Sequence, residues 1–444
     1  MAKKVAYLIG TLAAATSIVG LMAADVSAQE RRRDRRDREA AAVTPATPQV
    51  SPAFGATYAP VNTAITVMDW PTADAALAIM RAAAVSPYEL YLTSQTEFRI
   101  AAATGNVERQ LIAVDGMIDS NGTPATDNAR VLVAGGQLAY NARQYAKAAQ
   151  RIEAAQAAGA TTAGLDLLRL DALIRSDQID AGVAYGNQLI TAASGQGGVA
   201  SDDIFGLVAR ALQDADRNAE LAAVLTRRTA AYPTEGNFRS TVLAILQSTP
   251  EDRGRTIDLM RLMHAAGAMN DRRYYLEYVG NLVEEGLPNE SVTVIQHGRA
   301  SGTVEAGDAT FNEIEATQRD KLADDRASLP GTERRAAAAA DSRLARLVGD
   351  AYLGYSNYPK AEEMYQLALT KAGVDTDLIH TRIGIARLGA GNFAGALESF
   401  ALVQNEPRAS IARLWEALVR RQMPAPAAAA PANPPVPAAP APSN

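Results

Sequence analysis

Residues Leu347–Gly373 read LVGDAYLGYSNYPKAEEMYQLALTKAG. Small residues and tyrosines recur in this stretch at orderly intervals: Gly349, Tyr352, Ala361, Tyr365 and Ala368. The physical reading is a pair of helices that cross at Gly349 and Ala361, where small side chains let two backbones approach closely. Tyr352 and Tyr365 then fill the wedge between this pair and the next, with their hydroxyls expected to reach water. Pro359 falls in the first turn of the second helix, where a missing N–H costs little. Glu362 and Glu363 follow in the same turn, where the helix dipole favours acids.

The spacing repeats elsewhere. Gly384, Ala396, Phe400 and Val403 hold matching positions thirty-five residues on, and Gly136, Ala148, Ile152 and Ala155 hold them much earlier. Ala181 with Tyr185, and Ser291 with Ile295, are weaker echoes. These residues make the chain resemble the tetratricopeptide repeat family. The match is good over Asp341–Val403, fair over Ala129–Ala193, and degenerate from Ile204 to about Gly302. Departures are Ala345 for the bulky aromatic of the first helix, Gly373 for the closing proline, and Arg169 for a small residue at a helix crossing. The resemblance implies an all-α fold: an α-solenoid of antiparallel helix pairs, stacked as a right-handed superhelix with a concave binding face.

Composition agrees with helix. Aromatic residues make up 5% of the 444-residue chain and charged residues 21%, and alanine is abundant, a mixture favouring helix over strand. The net charge of -6 gives phosphate backbones no basic face, so nucleic acid is not an expected partner. The absence of cysteine removes disulfides, thiolate metal sites and a cysteine nucleophile.

The expected organisation begins with a secretory signal peptide over residues 1–28. Lys3 and Lys4 precede an apolar run, and Val26-Ser27-Ala28 forms a small-residue cleavage site. An uncleaved anchor is the competing reading. Cleavage leaves no integral membrane span and places the protein in the bacterial periplasm. Residues 29–64 read as a disordered linker, opening with the charged run Arg31–Glu39 and continuing rich in Pro, Ala and Thr. Residues 65–302 read as a degenerate repeat array. Residues 303–340 read as a helical insert or junction, its polar helix Thr310–Leu329 ended by Pro330-Gly331. Residues 341–421 hold the clearest repeats and a capping helix, Ser410–Arg421, with Trp415 in its core face. Residues 422–444 read as a disordered Pro/Ala-rich tail, of which Pro424–Pro442 reaches ~60 Å when extended.

Gly195-Gln196-Gly197-Gly198-Val199-Ala200 resembles a dinucleotide-binding loop in letters, but it follows a helical run and reads as an inter-repeat connection. His264 and His297, thirty-three residues apart, read as helix C-terminal residues; a metal site would require them to converge, whereas a solenoid holds equivalent positions a repeat apart. Adjacent acids such as Glu284-Glu285 point about 100° apart on a helix and make no acid–base couple. No catalytic, cofactor or metal residue is assigned, so the reading is non-enzymatic.

Recognition remains. The resemblance implies that the first helix of each pair lines the groove, giving Arg343, Arg346, Asp350 and Leu353, then Leu378, Thr381, Ile385 and Leu388, and in the earlier repeat Gln137, Tyr140 and Asn141. The expected function is a cell-envelope scaffold or adaptor that binds a protein or peptide segment there. The alternatives are a structural subunit of an envelope assembly or polysaccharide-secretion machine, and a peptidoglycan-acting enzyme.

Overall fold

The computed structural model describes residues 49–424. The readings made for the signal peptide, for Arg31–Glu39 with the start of the linker, and for residues 425–444 lie outside these. Among the described residues there are twenty α-helices and no strand, only an isolated bridge between Asp341 and Ala372. The chain divides between Gly195 and Gln196 into two compact units. That division falls inside the region read as one array, and the stretch read as a junction lies within the second unit.

The first unit holds α1 (Pro52–Thr66), α2 (Trp70–Ala83), α3 (Pro87–Ala103), α4 (Val107–Asp119), α5 (Ala125–Asn141), α6 (Tyr145–Ala157), α7 (Leu165–Arg175) and α8 (Ile179–Gly195). Each packs against the next. Residues 52–64 were expected to be linker, and the structure corrects this. Pro52 opens α1, Ser51 accepts from the Phe54 N–H, and Phe54, Val61 and Ala64 are buried among Ala73, Leu77, Met80 and Ile100. Glu89 at the start of α3 secures the junction, accepting from the backbone N–H groups of Ser51, Val85 and Ser86 at 2.7–3.0 Å. Three well-spaced apolar residues carry this helix, and Pro60 and the alanines around them mask its period.

The second unit holds α9 (Asp202–Asp214), α10 (Asn218–Ala231), α11 (Glu235–Ser248), α12 (Arg253–Ala265), α13 (Arg272–Glu285), α14 (Pro288–Ala300), α15 (Ala309–Ala338), α16 (Arg343–Gly354), α17 (Tyr358–Leu369), α18 (Thr376–Gly389), α19 (Phe393–Ala401) and α20 (Arg408–Gln422). Successive helices again pack together, but α20 also lies against α10, α12 and α18, and α14 touches α16. The last helix therefore returns to the early ones. Ile257 through Met263 of α12 are buried all round, the mark of a helix enclosed by its neighbours.

Pro330 does not end a helix. α15 runs through it to Ala338, and Leu329 and Ala336 are buried on either side of it. The stretch from Gln196 to Ala200 is a connection after a helix, as read, while Gly195 itself closes α8; Gly197 lies in the left-handed region at φ 72°.

Candidate functional site

The tyrosines of Leu347–Gly373 are fasteners between helices. A Cβ added at Gly349 would stand 2.5 Å from Cε1 of Tyr365, so α16 and α17 cross with the ring seated against bare backbone. Sixteen residues separate this pair, and the same interval joins Gly384 to Phe400 and Gly136 to Ile152, where an added Cβ would likewise strike the larger side chain. Ala361, Ala396 and Ala148 are fully buried at the crossings. In α8 the register slips by one: Ala181 is exposed, while Gly182 and Val183 are buried against α7.

The hydroxyls do not simply reach water as expected. Tyr365 donates to Asp350 at 2.8 Å inside the unit, Tyr355 to Asp325 at 2.7 Å, and Tyr352 to Glu333. The latter two bind α16 to α15. Carboxylates on neighbouring helices are thus available to accept where solvent was assumed.

Asp350 opens onto a buried ionic cluster. Arg382 of α18 donates to both Asp350 oxygens, at 2.6 and 2.7 Å, and to Asp258 of α12 at 3.1 Å. Arg408 of α20 donates to the other Asp258 oxygen at 2.8 Å. Arg261 reaches Asp258 at 3.3 Å and grips Glu290 of α14 through two bonds of 2.7 and 2.8 Å, while Tyr278 donates to Glu290 at 2.6 Å. Burial opposes ionisation of Asp258 and Glu290, but the facing arginines outweigh it and hold both below the usual carboxylate range. Burial likewise works against the Arg382 cation, and Asp258 and Asp350 raise its pKa on balance. With Arg346, which reaches Asp350 at 2.9 Å, four arginines meet three carboxylates, and each charge has a partner. Such a cluster fastens helices; its carboxylates are committed to arginine, and Asp258 and Asp350 are sealed from solvent, which suits neither proton transfer nor ligand capture.

This geometry places the residues expected to line a groove. Arg343 and Asn141 are exposed. Arg346 is half-buried, bonding to Asp350 at 2.9 Å and Glu285 at 3.2 Å. Asp350 and Thr381 are fully buried, and the Thr381 hydroxyl donates to the Asp377 carbonyl at 2.7 Å. Leu353 and Ile385 are buried, whereas Leu378, Leu388 and Gln137 are half-buried. Tyr140 donates to Asp171 and meets Tyr145 edge-on at 5.3 Å. Asp350 and Thr381 therefore do not present to a partner as placed: both are fully buried, Asp350 held by Tyr365 of α17 and Arg382 of α18 and Thr381 by a carbonyl of its own helix. Gln137, Tyr140 and Asn141 belong to the first unit and the other eight residues to the second. Sequence reasoning missed Asp258, Arg261, Arg382 and Arg408. The available signal was charge set in otherwise apolar helix, as in IDLMRLMH and LIHTRIGIARLG.

The two histidines do converge, against the expectation that a repeat would hold them apart. Their rings lie 4.3 Å apart, each in the last turn of its helix, α12 or α14. Burial, then His297, push the His264 imidazole down to about 4, with Glu290 opposing. Tyr275 faces Nδ1 of His297 at 3.3 Å. Among the described residues no three His, Cys, Asp or Glu side chains gather as metal ligands, and no helix is long and apolar enough to cross a membrane.

No protein-family description matches the chain, and none of the curated proteins does. Solved structures similar to it include that of Naa15/Naa10 bound to HypK-THB, 10% identical, covering 79% of this chain with a TM-score of 0.35. The chain spans 63% of that protein's length. Yeast Tom70 is 10% identical over 83% of this chain and 96% of its own, with a TM-score of 0.23. The TPR domain of P58(IPK) is 10% identical over 83% of this chain and 99% of its own, with a TM-score of 0.21.

Proposed function

We propose that this chain is a non-enzymatic helical-repeat scaffold of the bacterial cell envelope that binds a protein or peptide segment. The observation that carries the reading is the use of its buried polar groups. Asp258, Glu290 and Asp350 are each neutralised by arginine inside helix packing, so function falls to the helical surface rather than to a reacting centre. Export rests on the N-terminal sequence, with its basic start, apolar middle and Val26-Ser27-Ala28.

Crosslinking of the exported protein in envelope extracts, followed by mass spectrometry, tests both parts. Expected are a mature N-terminus at Gln29 and crosslinks from a discrete protein partner to the exposed helix surface near Asn141 or Arg343. A retained Met1 overturns export with cleavage. Recovery of no partner, together with hydrolase activity of the pure protein, overturns the scaffold. The second reading, a structural subunit of a larger envelope assembly or polysaccharide-secretion machine, predicts co-fractionation with a large complex instead of a separable adaptor.

A further inference from the structure

A groove of about 490 Å³ lies within the second unit, between α10 and the start of α20. Its floor is small and apolar: Ala219, Ala223 and Ala230 stand on one side of α10 and remain exposed, with Ile245 of α11 behind them. Its rim carries Glu406, Ser410 and Arg413, and the Arg413 guanidinium donates to both of the others. A floor of alanine lets a second backbone approach closely.

The chain supplies a segment of that description. Residues 425–444 contain no Lys, Arg, Asp or Glu, so little charge is desolvated when they enter an apolar groove. Prolines at 431, 434, 437 and 440 recur every third residue. A polyproline II helix has three residues per turn and no internal hydrogen bonds, so these four prolines share one edge and the carbonyls stay free. The reach also fits. The Arg421 guanidinium donates to the carbonyls of Pro233 and Ala266, so the tail departs just past the end of α10. α20 has 15 residues, or about 22 Å of helix. The seven residues Pro424–Ala430 cover ~22 Å at the polyproline II rise, enough to run back along it.

We propose that Pro431–Pro440 docks as a polyproline II strand in the α10/α20 groove of its own unit, its proline edge on the alanine floor. This goes beyond the scaffold reading and stands or falls apart from it. The chain has no native cysteine, so N218C, exposed on α10 beside the groove and outside its lining, and A438C give the only two thiols for spin labels in the full-length protein. Pulsed dipolar spectroscopy is expected to show a short, narrow distance distribution. Adding A219R at the groove floor should abolish it while helix content by circular dichroism is unchanged. Inserting one alanine after Pro434, which breaks the three-residue register, should abolish it too. A broad, long distribution in the starting protein overturns the proposal. So does a narrow one that survives A219R, or one that survives the insertion.

Discussion

Gly349 shows how much one missing methyl group decides. Tyr365 occupies the space a Cβ would need, and its hydroxyl is held by Asp350, so the ring has little room to withdraw. Gly349→Ala is expected to lose about 1–3 kcal/mol by overpacking, read as a lower urea midpoint. Gly280, inside α13, has nothing within 4 Å of an added Cβ. Gly280→Ala should therefore gain about 0.5–1 kcal/mol, because only backbone freedom of the unfolded chain is lost. His264 makes a prediction with a definite sign. Its folded pKa is depressed to about 4 from 6.5, so between those values the unfolded chain binds a proton that the folded chain refuses. Its contribution to stability is complete above about pH 6.5 and declines as pH falls toward 4. His264→Phe should flatten that part of the pH–stability curve, compared by urea melts at several pH values. The glycine–tyrosine interval was legible in the sequence because packing of adjacent helices is written at short range. The meeting of His264 with His297 was not, since a spacing of one repeat says where two residues recur along an array and not how tightly its helices turn.

At the scale of helices, Arg382 is the test of the ionic cluster. Arg382→Met removes the cation shared by Asp350 and Asp258, leaving buried Asp350 with Arg346 alone and Asp258 with Arg261 and Arg408. A loss of about 3–5 kcal/mol is expected by urea denaturation, the magnitude found when one partner of a buried pair is deleted. α15 offers the opposite sign. Pro330 sits inside it without an N–H to give, so Pro330→Ala should raise thermal stability, by up to about 3 kcal/mol. Sequence alone ends the helix at Leu329, because proline is the strongest local stop. Burial of Leu329 and Ala336 flanking it overrides that preference. α1 was missed for the complementary reason: an alanine-, threonine- and proline-rich composition hid three buried residues that only a neighbouring helix could reveal. Residues that face inward on α16 and α18 were identified by spacing, yet what stands opposite them is supplied by α12 and α20, more than a hundred residues away in the chain for α12 and Arg382.

At the scale of the molecule, the two units should respond separately to a local lesion. Hydrogen exchange on the Arg382→Met protein is expected to rise across residues 196–424 and to remain unchanged across 49–195. Uniform loss of protection would refute independent units. The helical class and much of the pairing could be read from the sequence; the return of α20 onto α10 and α12 could not, because no periodicity encodes where a chain comes back to itself. That return has a temporal meaning. In an open array each repeat leans on its neighbours, and growth from one end is stable at every step. Here Asp258 waits for Arg382, 124 positions later, and for Arg408, 150 positions later. Until both have emerged, α12 has only Arg261 to offset the Asp258 carboxylate, so a half-built second unit is expected to be markedly less stable than the finished one. Its maturation is then expected to wait on the last helix, and a nascent chain halted before Arg408 should remain more open to proteases than the full chain, checked by limited proteolysis of truncated and complete protein.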